Sequence, residues 1–544
     1  MKKRTVFAYS GMLILLMGIM IRVFELASRG LSQAAEQQSS VTVTVANVRA
    51  TIYDRDMQPL VNRRWEYRVS VSPTPEAVAA IAPYLDEQAL QSLTERLRSN
   101  RPAVVVLDKP VNPAAGLKIF QVPKRYSGNL LSPHLIGYLD GDDLHGVTGV
   151  EEIFDEYLLE HSGTATVTYQ VDAAGRPLGG EKAEVVNGLD EAKAGVVLTL
   201  DEDIQRLTES VAKKYITQGA VVVMDPQSGA ILAMASLPDF QPDTVADRLD
   251  RDDSPLLNRA LCNYNCGSVF KIVSAAAALE KGAAFSTSYT CSGMVDVGGV
   301  PFHCHNRLGH GSMDLLRGFA QSCNPYFIQL MQGIGGNALY NMATLLGFDR
   351  AIILAEGLKT ARAVLPSLND LQSPAALANL SFGQGALLAT PVHIAQMVAA
   401  VVNDGKIQRP NILKGYVDKE GQMTETVLSP AQSAFSKQTA ASLRQLMVEV
   451  VENGTGASAK PAWGGAGGKT GTAETGRKGE NGKEIVQSWF AGYYPAEQPR
   501  YVISVLAEDA NGTGGKSSPV FKEICDGLYQ MDTSASMRAP SGEV

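Results

Sequence analysis

Three short polar motifs constrain this chain more than anything else in it: Ser268-Val-Phe-Lys271, Ser322-Cys-Asn324 and Lys469-Thr470-Gly471-Thr472. Each is weak alone, since a chain of this length carries on the order of one or two chance copies of Ser-x-x-Lys. Each also has a plain structural reading. Ser268, Ser322 and Asn324 are good helix caps, and the third motif can be a glycine-rich turn with a solvated lysine. In this order, however, they supply a nucleophile with a lysine one helical turn away, a second hydroxyl beside an amide, and a cationic strand able to hold a carboxylate. That is a complete set of parts for acyl transfer, and a fold that uses it must gather three distant stretches of chain.

With 544 residues the chain exceeds one ordinary core, so two or more domains are expected. A net charge of −8, with no basic cluster beyond the first four residues, argues against a nucleic-acid partner. No compact Cys/His pattern is present, so neither a metal site nor a cofactor is expected. Lys2, Lys3 and Arg4 precede an apolar run from Val6 to Ile21 that continues through Val23, Phe24 and Leu26. At about 1.5 Å per residue, Thr5 to Ala27 just spans a hydrocarbon core of about 30 Å, with Arg22 and Glu25 reaching the interface. The basic cluster keeps the first residues in the cytoplasm and sends residues 28 onward outside. A signal peptide cleaved near Ala34-Ala35 is the competing reading, and it exports the same domain.

The expected organisation is a cytoplasmic tail over 1–4, a transmembrane helix over 5–27, a strand-rich region over 28–195, a second domain over 196–530 and a flexible tail over 531–544. Val41–Val45 and Tyr67–Val71 alternate at period two, and Glu76–Arg98 is helix-like. Asp201 is placed to cap a helix over Glu202–Tyr215. Ala220–Met224 and Ala230–Met234 flank the turn Asp225-Pro-Gln-Ser-Gly229, Trp489–Tyr494 and Tyr501–Leu506 form a second hairpin, and Ser518-Pro519 opens a helix through Tyr529. Strands from both ends of this domain around a helical middle predict an α+β fold, one antiparallel sheet flanked by helices.

Ser268 opens the alanine-rich run Val269–Leu279, which Lys281-Gly282 ends, so Lys271 lies at i+3 on its face. A serine needs a base to take its proton, and a lysine serves only if burial or a second cation lowers its pKa. Lys469 is the candidate second cation. Ser322, on a turn, can relay a proton to the leaving amine while Asn324 fixes a substrate amide. Gly471 permits close backbone approach, so a substrate can lie along this strand with Lys469, Thr470 and Thr472 receiving a terminal carboxylate. The backbone N–H groups of Ser268 and Thr472 are the natural oxyanion pair.

These motifs resemble those of the class B (monofunctional) penicillin-binding proteins, peptidoglycan D,D-transpeptidases of the penicillin-binding/serine β-lactamase-like fold. The likeness extends to Arg49-Ala-Thr-Ile-Tyr-Asp-Arg55, although Ala50 and Asp56-Met57 depart from the family's Gly and Asn-Gly. It also takes in Gly146-Val-Thr-Gly-Val-Glu-Glu152 with Leu158 and Gly163, Gly383-Gln-Gly385 with Thr390-Pro391, and Trp489-Phe-Ala-Gly492. The resemblance implies a membrane anchor, an elongated strand-rich pedestal, and a transpeptidase domain that cross-links peptidoglycan stem peptides through a Ser268 acyl-enzyme and binds β-lactam antibiotics. It implies a membrane-embedded glycan polymerase as partner. D,D-carboxypeptidase activity and a penicillin-binding sensor or scaffold are the alternatives.

Six cysteines allow fifteen pairings. Cys291 and Cys304 bracket a short strand-turn segment and read as a local disulfide in an oxidising compartment. Cys266 stands where the family usually has proline, and under the family fold it approaches Cys323 across the site. These two are a candidate redox pair or, alternatively, unpaired thiols.

Overall fold

The apolar strands on either side of the helical middle pair with each other, and that pairing builds the larger of two units. The computed structural model describes residues 2–38, 40–141, 145–172, 176–178, 183–478, 482, 484–509 and 515–538. Strands β1 (Gly219–Met224) and β2 (Ile231–Leu237) form the hairpin expected around Asp225–Gly229, and β3 (Gly467–Lys478), β4 (Glu484–Tyr494) and β5 (Tyr501–Asp509) follow late in the chain. The sheet order is β2-β1-β5-β4-β3, antiparallel throughout. Helices in chain order are α1 (Glu202–Tyr215), α2 (Lys271–Glu280), α3 (Asn324–Ile334), α4 (Pro391–Val402), α5 (Lys437–Asn453) and α6 (Ser517–Arg538).

Central strands β1 and β5 carry Val221-Val222-Val223 and Val502-Ile503, apolar residues buried on both faces because helices cover both. On one face Val221, Val223, Ile503 and Val505 meet Ile204 and Val211 of α1 and Phe521 and Ile524 of α6. On the other lies α4, buried at every position from Pro391 to Val402, as its almost unbroken apolar sequence requires. Each such side chain stabilises the fold by about 1.5–3 kcal/mol relative to exposure. Asp201 caps α1 as expected, its carboxylate accepting from the Ile204 N–H at 3.1 Å.

The two units divide the chain differently from the expected boundaries. The larger comprises Thr51–Val61, Tyr126–Leu158 and Gly195–Val544, and the smaller Met1–Ala50, Asn62–Arg125 and Leu159–Ala194. Residues 51–61 join the larger unit because Thr51–Tyr53 pairs in parallel with Gly195–Val197 and the Arg55 N–H donates to Leu200 O at 2.7 Å. Residues 126–158 join it through Ser132, whose N–H donates to Glu209 Oε1 at 2.6 Å and whose hydroxyl donates to Met234 O at 2.8 Å.

Within the smaller unit, Arg64–Val71 lies between Ala103–Leu107 and Leu117–Lys124, and helices Pro75–Ile81 and Glu87–Leu97 bury Ile81, Leu93 and Leu97 against Val69, Val71 and Val105. Ser40–Val48 pairs with Gly163–Gln170, which pairs with Glu184–Asn187. An N-terminal helix runs Lys2–Gln38, past the expected end at residue 27. Its described apolar side chains are exposed, Ile14 by 72% and Phe24 by 75%, and Arg22 pairs with Glu25 at 3.0 Å. Among the described residues no helix is long and apolar enough to cross a membrane.

The tail expected from residue 531 is instead helical to Arg538. Met531 packs on the core beneath α6, while Asp532 accepts from Tyr501 Oη at 3.0 Å and pairs with Arg500 at 2.7 Å. Residues 539–544 lie outside the described residues.

Candidate active site

Ser268 sits in a single 3₁₀ turn, Gly267–Phe270, that feeds directly into α2, rather than within the α-helix itself. Two close backbone approaches fix that turn. The Gly267 N–H donates to Gly383 O at 3.0 Å, and a Cβ on Gly383 would lie 1.9 Å from Gly267 O, so only glycine fits there. On the strand side, Asn265 N–H donates to Gln487 Oε1 at 2.8 Å and Trp489 Nε1 donates to Asn265 O at 2.8 Å. The turn is thus clamped to β4 before the helix begins.

Helix α2 is alanine-rich and buried from Lys271 through Ala278, which places the Lys271 ammonium group in the interior. Its Nζ lies 3.0 Å from Ser268 Oγ, 2.7 Å from Ser322 O, 3.2 Å from Ser322 Oγ and 2.6 Å from Asn324 Oδ1. In its neutral form this amine donates two protons and keeps a lone pair that can accept the proton of a neighbouring hydroxyl. Burial lowers the Lys271 pKa to about 7, which populates that amine near neutrality.

Ser322 lies on the turn between helix Leu315–Ala320 and α3, and Asn324 opens α3. Ser322 adopts φ +53°, the left-handed region that costs a non-glycine residue about 1–2 kcal/mol. Such strain is common where a side chain must be aimed. Its Oγ also accepts from Lys469 Nζ at 2.9 Å. Lys469 is fully buried on β3 and donates to Thr470 O at 3.0 Å as well. Burial first, and repulsion from Lys271 second, hold its pKa well below the ordinary lysine range.

Strand β3 is the edge of the sheet, so Lys469–Thr472 present an unpaired side. Gly471 faces the nucleophile's turn: a Cβ there would stand 3.0 Å from Val269 Cγ1 and 3.1 Å from both Cys266 O and Trp489 Cβ. A Cβ on Gly267 would reach Thr472 O at 2.8 Å, so the backbones around Ser268 and Thr472 are in contact. Thr470 Oγ1 shares a hydrogen bond of 2.7 Å with Thr455 Oγ1. The structure therefore brings together Ser268, Lys271, Ser322, Asn324, Lys469, Thr470, Gly471 and Thr472. Sequence reasoning missed the supporting residues Gly267 and Gln487, whose roles rest on contacts between distant stretches of chain.

The cysteines depart from expectation. All six are free thiols, so Cys291 and Cys304 are not joined. Cys266 places its thiol 3.9 Å from Tyr264 O, while Cys323 turns toward Cys291, Cys304 and His310. The ligand atoms of those four residues lie within 4.8 Å of one another. No metal-binding group was expected from the sequence, and folding here collects four side chains that no short spacing announces.

A serine held against two buried lysines at the edge of an antiparallel sheet agrees with what the comparisons give. The penicillin-binding protein transpeptidase domain matches residues 219–526. The chain belongs to the penicillin-binding protein transpeptidase family, as one of its class B members. It is 33% identical over 419 residues to stage V sporulation protein D of Bacillus subtilis, covering 73% of this chain and 62% of that protein. It is 32% identical over 375 residues to the peptidoglycan D,D-transpeptidase PbpA of Mycolicibacterium smegmatis, covering 62% and 73%. Among solved structures, penicillin-binding protein 3 of Mycobacterium tuberculosis complexed with aztreonam superposes with a TM-score of 0.65 at 26% identity, over 91% of this chain and 97% of that one.

Proposed function

We propose that this protein is a peptidoglycan D,D-transpeptidase that works through a Ser268 acyl-enzyme. The observation that carries the reading is the convergence on one point of Lys271 Nζ, 3.0 Å from Ser268 Oγ and 2.6 Å from Asn324 Oδ1, with Lys469 Nζ 2.9 Å from Ser322 Oγ. In this reading neutral Lys271 takes the Ser268 proton as Oγ attacks the penultimate D-Ala carbonyl of a stem peptide. The backbone N–H groups of Ser268 and Thr472 receive the developing oxyanion. As the tetrahedral intermediate collapses, the proton passes from Lys271 through the Ser322 hydroxyl to the departing D-Ala amine, leaving the acyl-enzyme. An amine from a neighbouring stem then returns a proton along the same path and takes the acyl group, restoring Ser268.

Lys469, Thr470 and Thr472 hold the terminal carboxylate, Gly471 lets the substrate lie along β3, and Asn324 fixes a substrate amide. Charging either buried lysine beside this hydroxyl costs several kcal/mol of desolvation, so the site is assembled at the expense of stability. A β-lactam presents a carbonyl and a carboxylate in the same relation as D-Ala-D-Ala, and the relative solved with aztreonam favours the same ligand class for this chain.

The basic cluster Lys2-Lys3-Arg4 and the apolar run Val6–Ile21 after it are what favour a single membrane crossing over residues 5–27, with residues 1–4 cytoplasmic and the catalytic unit outside the cell membrane. By family resemblance the smaller unit is a pedestal, and it offers the contact surface for a membrane-embedded glycan polymerase. The decisive experiment is covalent labelling with a fluorescent penicillin and exchange of the terminal D-Ala of a stem pentapeptide for a labelled D-amino acid. Labelling is expected at Ser268 and is lost in Ser268→Ala, with exchange lost alongside it. Labelling that persists in that variant, or maps to another serine, rejects the assignment, and hydrolysis without exchange makes the enzyme a carboxypeptidase.

A further inference from the structure

We propose that Cys291, Cys304, His310 and Cys323 form a closed zinc site that holds the turn bearing Ser322 and Asn324. Zinc binding itself stands apart from the acyl-transfer reading, whereas its effect on acylation rests on that reading.

The geometry is close to that of a filled site. With Zn–S near 2.3 Å and Zn–N near 2.0–2.1 Å, a tetrahedral ion sets its ligand sulfurs about 3.8 Å apart and sulfur and nitrogen about 3.6 Å apart. Cys304 Sγ and His310 Nδ1 are 3.5 Å apart, and all four ligand atoms lie within 4.8 Å of one another. All three thiols are buried and none is in a disulfide. Three thiolates and an imidazole are a donor set suited to zinc, which has no redox chemistry of its own and accepts tetrahedral sulfur–nitrogen coordination. With four protein ligands no position remains for substrate, so the ion is structural. Binding deprotonates the thiols and releases those protons to solvent.

The surrounding backbone is built for it. Cys291 ends one short strand and Cys304 follows another, Val300–His303. The two loops interlock: His310 N–H donates to Cys291 O at 3.0 Å and Cys304 N–H to Gly293 O at 2.9 Å. Gly293, at φ +96°, and Gly309, at φ +81°, permit this, since a Cβ on either would come within 2.1 Å of Arg307 O or 2.4 Å of Cys291 O.

The segment also needs a staple. Its own core is Val297 and Phe302 against Ile328 and Ala378, while Met294, Val300 and Leu308 are exposed. So small a core does not fix a two-hairpin excursion by burial alone. Cys323 is the one ligand outside the excursion, and it stands between Ser322 and Asn324. A zinc ion would tie the excursion to that turn and, through it, set the Ser322 Oγ that both lysines contact.

The test is the metal content of the full chain purified without added metal or chelator, together with the spectrum after zinc is exchanged for cobalt. About one zinc per chain is expected in the parent and in His305→Ala, whose imidazole lies 3.9 Å from Cys304 Sγ but outside the ligand group. Cys304→Ser and His310→Ala are expected to lose it, and chelation is expected to slow penicillin acylation at least tenfold, with recovery on adding zinc alone. Cobalt in the parent should show intense thiolate charge-transfer and tetrahedral d–d bands, a readout that requires no variant to fold. A parent that binds no zinc, that holds iron or copper instead, or that gives a cobalt spectrum without thiolate bands overturns the proposal. So does retention of stoichiometric zinc in Cys304→Ser.

Discussion

At the scale of single residues, Lys271 sets the pH behaviour. Its pKa falls from 10.5 to about 7 on folding, so between those values the unfolded chain binds more protons than the folded one. Stability therefore rises with pH across that window, and below pH 7 the full cost of charging the buried amine is present. Lys469 is shifted in the same direction. The parent's acylation rate is expected to climb with pH through a midpoint near 7, because only the neutral amine accepts the serine proton. Lys271→Met should lose at least about 100-fold in acylation, a loss typical of removing a general base. It should also melt higher than the parent at pH 6, with the difference shrinking toward pH 9; calorimetry at several pH values decides, and a constant difference would sink the account. The candidate catalytic residues that the structure brings together were readable because their spacing along the chain is itself chemical: a serine and lysine at i and i+3 face one another on any helix. The four zinc-ligand candidates were not, since their separations match no local turn and only the interlocked loops bring them together. The left-handed φ of Ser322 was equally hidden, for no glycine or asparagine marks it.

At the scale of elements, the meeting of β3 with the turn before α2 decides whether the parts become a site. Gly471→Ala places a methyl group 3.0–3.1 Å from Val269, Cys266 and Trp489, tighter than those atoms allow without moving. Overpacking of this kind costs about 1–3 kcal/mol. A lower melting temperature and at least a tenfold drop in penicillin acylation are therefore expected, and unchanged acylation would show that the strand has room to shift. Both hairpins of the sheet and the start of α1 followed from turn and cap residues, because those signals act within a few positions. The end of α6 did not. Polar, small residues after Tyr529 suggest a tail, yet Asp532 is held by Tyr501 and Arg500, partners supplied by another element. Similarly, period and capping announced a helix from Ser268, whereas the Gly267–Gly383 contact tightens its first turn to 3₁₀.

At the scale of the whole molecule, the proposed function predicts separable roles for the N-terminal helix and the catalytic unit. Removing residues 1–38 is expected to release the protein from membranes while leaving penicillin acylation within about twofold, and protease added to intact protoplasts should digest the anchored parent from outside; protection would reverse the proposed topology. The sequence placed a boundary near residue 195 because the apolar run Val196–Leu200 there meets Asp201 as the cap of a helix. It did not foresee that 51–61 and 126–158 cross into the larger unit, since parallel pairing with Gly195–Val197 and the bonds of Ser132 are visible only once the chain has folded. The strand order carries a further consequence, for the order of synthesis. Strand β1 leaves the ribosome early, but its inner partner β5 is among the last segments made, and Val502 must find Met224 across most of the unit. Long-range pairing of this kind is slow to form and cannot begin before its second strand exists. Ser268 is therefore translated long before Lys469 and the edge strand that complete its surroundings. A nascent or truncated chain carries Ser268 and Lys271 without Lys469 and the edge strand, so it stays inert toward substrate and antibiotic until synthesis is nearly finished.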